Sequence, residues 1–437
     1  GLHERYARIL GEQHLELAQN PSDEQQEKLR RMFDKMMKAL FKQDGATLDI
    51  SILESKQGQD FINTHARTLD SSFKQVEMSD SMRRRLTRSN YIFSGMKTFH
   101  ELHEAFPSLL DENGNRKPFE RFLNDVRKID KTYNENYLRA EYNFVQASAE
   151  MAAKWEAFAE DDDRYNLQYR TAGDDKVRPE HAALNGVTRP LNDSFWESYY
   201  PPNGWNCRCT VVQVRKTKYP ETPHEEAMAL GEEALQRDTK GMFRFNPGKE
   251  QRSVPDYNPY TLRRCNDCDI PKGKTHLTFI PNNEVCEACV LVRQCYLNQE
   301  KSLEAKQRTH YLHEMEPLLR RTKRKPSDDG VINVGFTKYG NKHLYSDTHR
   351  RSRVLGKDDL KDLHTLLARA EFIELSPLTH PRTDGVERFY YYKVQLRGQW
   401  IRLNVAKSVK KQGDGKYKIS YFLYSINDII KGTSDGI

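Results

Sequence analysis

The sequence predicts a multidomain chain. A mostly α N-terminal domain over 1–250 ends in a loop-rich α+β segment, a four-cysteine module follows over 259–297, and a C-terminal α+β domain with an antiparallel sheet closes the chain over 298–432. Three observations carry this reading. The length, 437 residues, exceeds what one hydrophobic core accommodates. Apolar residues recur at helical spacing in the first third, whereas alternation with a period of two dominates roughly the last hundred positions. Five of the seven cysteines fall between Cys265 and Cys295, a clustering that fits metal binding in a reducing compartment better than scattered disulfides.

Composition narrows the function classes. Lys plus Arg exceeds Asp plus Glu by 70 to 63, a net charge of +7 that permits a polyanionic partner without demanding one. Mean hydropathy is −0.88, and no apolar run approaches a membrane span, so no membrane partner is expected. The chain begins with Gly1 and has no hydrophobic signal region, which reads as a processed or excerpted start.

Along the chain, Ser22 and Gln25 make a capping box. Behind it Leu29, Met32, Phe33, Met36, Met37 and Leu40 form the inner stripe of an amphipathic helix that ends at Asp44–Gly45. Further helical patterns cover 57–73, 79–96 and 118–126, and a long helix covers 137–158. Arg83, Arg84 and Arg85 read as a solvated helix face. Gly, Pro, Asn and Asp then punctuate residues 169–212, an ordered loop that needs specific polar contacts. Asp174 or Asp175 paired with Arg170 or Arg178, and a donor role for His181, are the expected contacts, with Asp174, Arg178 and His181 expected as buried anchors. Strand 210–214 and helix 222–238 follow, and the polar, proline-bearing stretch 249–260 reads as a linker.

The loop 169–212 resembles the signature of the Mu F-like minor head proteins of tailed bacteriophages. The resemblance rests on Tyr169, Arg170, Thr171, Asp174, Val177, Arg178, His181, Gly186, Phe195, Pro201, Pro202 and Cys207-Arg208-Cys209. Arg139 and Glu141 on the preceding helix, and residues 243–248 after it, are similar to flanking family segments. The sequence departs from many relatives in carrying Asn203-Gly204-Trp205 where they have a His before the Cys-Arg-Cys. The resemblance implies a protein of the capsid interior, near the portal and other capsid proteins, in contact with packaged DNA.

Cys265 and Cys268 are separated by seventeen residues from Cys286 and Cys289. Two C-x-x-C turns of this spacing wrap a tetrahedral metal, and four thiolates favour structural zinc. Cys295 and His276 are spare ligands. His181, Cys207 and Cys209 are a second set, equally readable as metal ligands or as buried structural side chains.

In the tail, strand 331–336, helix 357–370, strands 389–396 and 399–405 joined at Arg397–Gly398, and strand 417–424 make a helix-plus-meander unit. This order, with Lys342–His343 after the first strand, resembles the barnase–EndoU–colicin–RelE-like nucleases. That resemblance implies metal-independent RNA cleavage, in which a ribose 2′-OH attacks the adjacent phosphorus to leave a cyclic phosphate. The reaction needs a base, an acid and cations on the phosphorane. His343 is the first candidate for proton transfer and His349 its rival. Arg402 would hold phosphate, with Ser420 and Tyr424 as donors. Arg324 and Lys325, in a basic run over 320–325, with Tyr390, Tyr392 and Trp400, are candidate nucleic-acid contacts.

The combined reading is a phage minor capsid protein of head morphogenesis, found in the virion and the host cytoplasm, carrying a C-terminal ribonuclease. An immunity protein is a further expected partner. The alternatives are a structural or DNA-binding capsid component with an inactive tail, or a delivered antibacterial toxin.

Overall fold

The computed structural model describes residues 20–158, 164–261, 264–265, 268–271, 282–315, 322–327, 330–336, 338–345, 349–352, 354–376 and 385–429. Two compact units divide at Asn298 and Gln299. His276 lies outside the described residues.

The first unit is built on helices α1 (Asp23–Leu40), α2 (Lys56–Ser71), α3 (Asp80–Ala105), α4 (Phe119–Asp130) and α5 (Leu138–Phe158). Each start has a local cause. Ser22 accepts from the Gln25 amide while the Gln25 side chain returns to the Ser22 amide, and Ser55 and Ser79 cap α2 and α3 the same way at one end. The predicted Met-rich stripe is inside: Leu29, Phe33, Met36, Met37 and Leu40 are all buried. Between α4 and α5 the chain takes a π-helical turn, Lys131–Tyr137, which turns Tyr133 and Asn134 inward.

Two expectations about the following region are corrected. Stretch 249–260 is no linker, because Val254 and Tyr260 belong to the helical core. The Tyr260 hydroxyl donates to Glu141 at 3.1 Å, and the Ser253 hydroxyl donates to Asn90 at 2.6 Å. Nor is the second C-x-x-C a turn. It lies on α7 (Asn282–Met315), numbered after α6 (His224–Ala234), and Val285, Ala288, Cys289, Val292 and Cys295 pack into the same helical core. Gly95 of α3 makes room for this packing, since a Cβ there would stand 2.4 Å from Val292 Cγ1. Contacts distant in sequence, invisible to composition, hold both segments.

A small antiparallel sheet carries the signature loop. Strand β1 (Tyr165–Arg170) lies between β2 (Thr188–Arg189) and β3 (Thr210–Arg215). Its core gathers Leu167, Tyr169, Phe195, Trp196, Tyr199 and Tyr200 against Ala147 and Met151 of α5. Beyond it, β4 (Arg264–Cys265) and β5 (Cys268–Pro271) form a short hairpin.

The second unit is a mixed sheet. After β6 (Thr322–Ser327), β7 (Gly330–Gly335), β8 (Arg350–Arg351), β9 (Glu371–Ser376), β10 (Val386–Leu396), β11 (Gln399–Lys411) and β12 (Tyr417–Asp428), the spatial order is β6-β7-β12-β11-β10-β9, with β8 on β12. The β9–β12 part is antiparallel, whereas β7 and β8 pair with β12 in parallel. The β10–β11 hairpin turns at Arg397 (φ 49°) and Gly398 (φ 80°), with Leu396 opposite Gln399. Two successive positive φ values define the tight turn whose twist suits a hairpin. Helices α8 (Lys338–Tyr345) and α9 (Leu363–Arg369) cover one face through Leu344, Leu363, Leu366 and Leu367.

Candidate functional site

The signature loop closes on a buried triad. His181 lies on a helical turn, Pro179–Ala182, started by a proline whose missing N–H costs nothing there. Its Nδ1 is 3.9 Å from Cys207 Sγ and 3.9 Å from Cys209 Sγ. All three side chains are buried, and their ligand atoms lie within 4.8 Å of one another. The cysteines share a face because Cys-x-Cys in extended chain entering β3 points both side chains one way. Cys207 is the thiol that ionises first: the Cys209 thiol donates to it and His181 stands beside it, holding its pKa well below the ordinary value. Tyr169 lies beneath, fully buried, its hydroxyl donating to Asn203 at 2.9 Å.

Around the triad the predicted ion pairs are redistributed. Asp174 pairs with Arg208 through two bonds of 2.6 and 2.7 Å, which pull its carboxyl down to about 2. Arg178 donates instead to the Trp205 carbonyl at 2.6 Å. Only His181 of the expected buried anchors is buried; Asp174 and Arg178 are exposed, because both sit on the outer limb of the loop. A cavity of about 320 Å³, lined by Arg178, His181, Asn203, Gly204 and Trp205 among others, opens beside the His.

The four-cysteine set is described through its backbone. Cys265 and Cys268 are opposite one another across the β4–β5 hairpin. Cys286 and Cys289 lie three apart on α7, which places them on one helix face. Of the helical pair, Cys289 is buried in the helical core and Cys286 is half-buried beside it.

In the second unit, His343 sits on α8, and three rings of the expected site converge. His343 and His349 centroids are 4.5 Å apart, His343 stacks on Tyr424 at 5.6 Å, and His349 meets Tyr424 edge-on at 5.2 Å. His349 is positioned by its carbonyl, which accepts from the Ile426 amide at 2.8 Å. Arg402 lies with its guanidinium 4.5 Å over the Tyr391 ring. Ser420 is four residues from Tyr424 on β12, about 13 Å along a strand. Trp400 stays 39% exposed with the Lys393 ammonium over its ring, so a stacking face remains.

Three nucleic-acid contacts are corrected. Tyr390 and Tyr392 are fully buried against the helices, and the Tyr392 hydroxyl donates to the Pro326 carbonyl at 3.0 Å. Lys325 is buried, its ammonium donating to the Ala368 and Ala370 carbonyls at 2.8 and 2.7 Å. The outward tyrosine is Tyr391, which the sequence reading passed over; strand alternation pairs it with exposure once Tyr392 is known to face in. The side chain of Arg324 lies outside the described atoms; its backbone pairs with Asn333.

These sites define a protein with a helical and loop-built unit and a separate sheet-rich unit. Residues 112–212 match the family model described as phage Mu protein F like protein, so this chain carries a Mu F-like domain. It is similar to the F protein of Escherichia phage Mu, whose given name assigns it to capsid assembly, at 35% identity over 117 residues. It is also similar to the Mu-like prophage FluMu F protein of Haemophilus influenzae, at 29% identity over 146 residues. The first alignment covers 26% of this chain and 24% of the relative, the second 32% of each. The chain thus spans about a quarter to a third of the length of these relatives. No solved structure matches significantly. Among the described residues, no helix is long and apolar enough to cross a membrane.

Proposed function

We propose that this chain is a capsid assembly protein of a Mu-like tailed phage, acting in head morphogenesis in the virion near the portal. The observation that carries this is the Mu F-like domain at 112–212 together with relatives whose names refer to capsid assembly or to Mu F. Other capsid proteins, the portal first, are its partners, with packaged DNA as a neighbour. Cys265, Cys268, Cys286 and Cys289 bind a structural zinc that ties the β4–β5 hairpin to α7. The test is co-expression of the full chain with the portal and scaffold of its phage. Incorporation into purified proheads is expected, and proheads that form normally without any bound chain would defeat the reading.

A second activity of the tail is favoured by one observation, the convergence of His343, His349 and Tyr424. Two imidazoles in contact supply a base and an acid for cleavage at a ribose 2′-OH, Tyr424 orients them, and Arg402 and Trp400 hold the strand. The full chain should cleave total RNA in EDTA, leaving cyclic-phosphate ends. His343→Ala should slow it by about 10²- to 10⁴-fold, the usual size of an acid–base contribution. Cleavage that depends on added metal would exclude this mechanism, and no cleavage of any RNA would leave the tail a binding module.

A further inference from the structure

We propose that His181, Cys207 and Cys209 form a second, independent zinc-class site, bound through His181 Nδ1 and two thiolates, that staples the signature loop to β3. Geometry comes first. A tetrahedral centre with bonds of about 2.3 Å to sulfur and about 2.0–2.1 Å to nitrogen has edges of about 3.6 Å between N and S and about 3.8 Å between sulfurs. The two N–S separations are both 3.9 Å, and the whole donor set fits within 4.8 Å. The two N–S separations therefore stand within a few tenths of an ångström of coordination spacing, and the third edge is bounded at 4.8 Å. As hydrogen bonds the same two separations are at the long end for sulfur.

Charge points the same way. Two thiolates in a site as buried as this one are costly unless neutralised. One divalent cation cancels both, and a neutral imidazole completes the set. Arg208 interacts with both thiols, and Arg178 with Cys209, but Asp174 already holds Arg208 in a bidentate pair. Softness selects the ion: two sulfurs and one imidazole suit zinc and disfavour magnesium or calcium. Among the described residues no further His, Cys, Asp or Glu joins the group, so the fourth position falls to water. The cavity lined by His181, Asn203, Gly204 and Trp205 has room for it.

The consequence is structural. The C-x-C and the His181 turn are 26 residues apart in sequence. A metal linking them closes that loop and fixes the cavity wall.

The experiment measures metal content on full-length chain purified without chelator, comparing wild type, C207S/C209S, H181Q and C265S/C268S. The C265S/C268S protein removes the four-cysteine site, so failure of that site and failure of this one are separable. Expected is one bound zinc in C265S/C268S, and one equivalent fewer than wild type in both C207S/C209S and H181Q. Cobalt exchanged into C265S/C268S should give tetrahedral d–d bands and a charge-transfer band of two-thiolate intensity. A folded C265S/C268S chain without metal, or undiminished zinc in folded H181Q, overturns the proposal. If C265S/C268S does not fold, H181Q in the intact chain decides: loss of one equivalent supports the site and no loss overturns it.

Discussion

Replacing Glu101 with Gln should remove its own share of the alkaline loss of stability of the helical unit, leaving the shares of Asp70 and Asp130, whose carboxyls burial also raises. Glu101 is fully buried on α3; Asn134 of the π-helical turn donates to Oε2 at 3.2 Å, and Oε1 has no hydrogen-bond partner among the described residues. Burial pushes its pKa up to about 8, with Lys97 and Asn134 opposing and Asp130 and Glu141 adding to the rise. Folded, the carboxyl keeps a proton that the unfolded chain releases above its ordinary value of 4.5. The unfolded state therefore binds fewer protons between those two values, and stability falls as pH rises through that window. A shift from 4.5 to about 8, at about 1.4 kcal/mol per unit, amounts to an order of 5 kcal/mol across the window. Gln has the same shape and never ionises. The variant should match the wild type within roughly 1 kcal/mol at the acid end, where only hydrogen bonding differs. It should then gain on the wild type steadily towards the alkaline end. His65, which burial and Lys97 lower to about 4, works in the opposite sense, its contribution rising with pH up to its unfolded value; it is common to both proteins and cancels in the difference. The assay is urea denaturation followed by far-ultraviolet dichroism at pH steps across the window. Parallel stability–pH curves for the two proteins would refute the reasoning.

Two further outcomes test the same core. Lys97 is fully buried and donates to Glu141 at 2.6 Å and to the Tyr133 carbonyl at 2.7 Å, so Lys97→Met should cost about 3–5 kcal/mol by stranding a buried carboxylate, whereas Lys97→Met with Glu141→Leu should recover most of it; a double variant as unstable as the single one would count against the pairing. Gly95→Ala should cost about 1–3 kcal/mol because its Cβ meets Val292, and Val292→Ala should relieve part of that cost in a double-mutant cycle, a coupling that vanishes if α7 does not pack on α3.

Local features of the chain were legible without coordinates because their causes are local. The Ser22–Gln25 box, the stripe from Leu29 to Leu40 and the Arg397–Gly398 turn each depend on residues within a few positions. The special character of 169–212 was also legible, since a loop this rich in Gly, Pro, Cys and Trp needs particular side chains at particular places. Partner choice was not. Asp174 takes Arg208 rather than Arg170 or Arg178, Tyr260 reaches Glu141 across 119 positions, and Cys289 turns into a helical core instead of a free-standing knuckle. Tyr390, Tyr392 and Tyr391 illustrate the same limit within one strand: alternation separates them into two faces, but only the helices packed on one side decide which face is buried. Periodicity and capping are set by neighbours along the chain, whereas pairing and facing are set by long-range packing, where many sequence-compatible partners compete and geometry selects one.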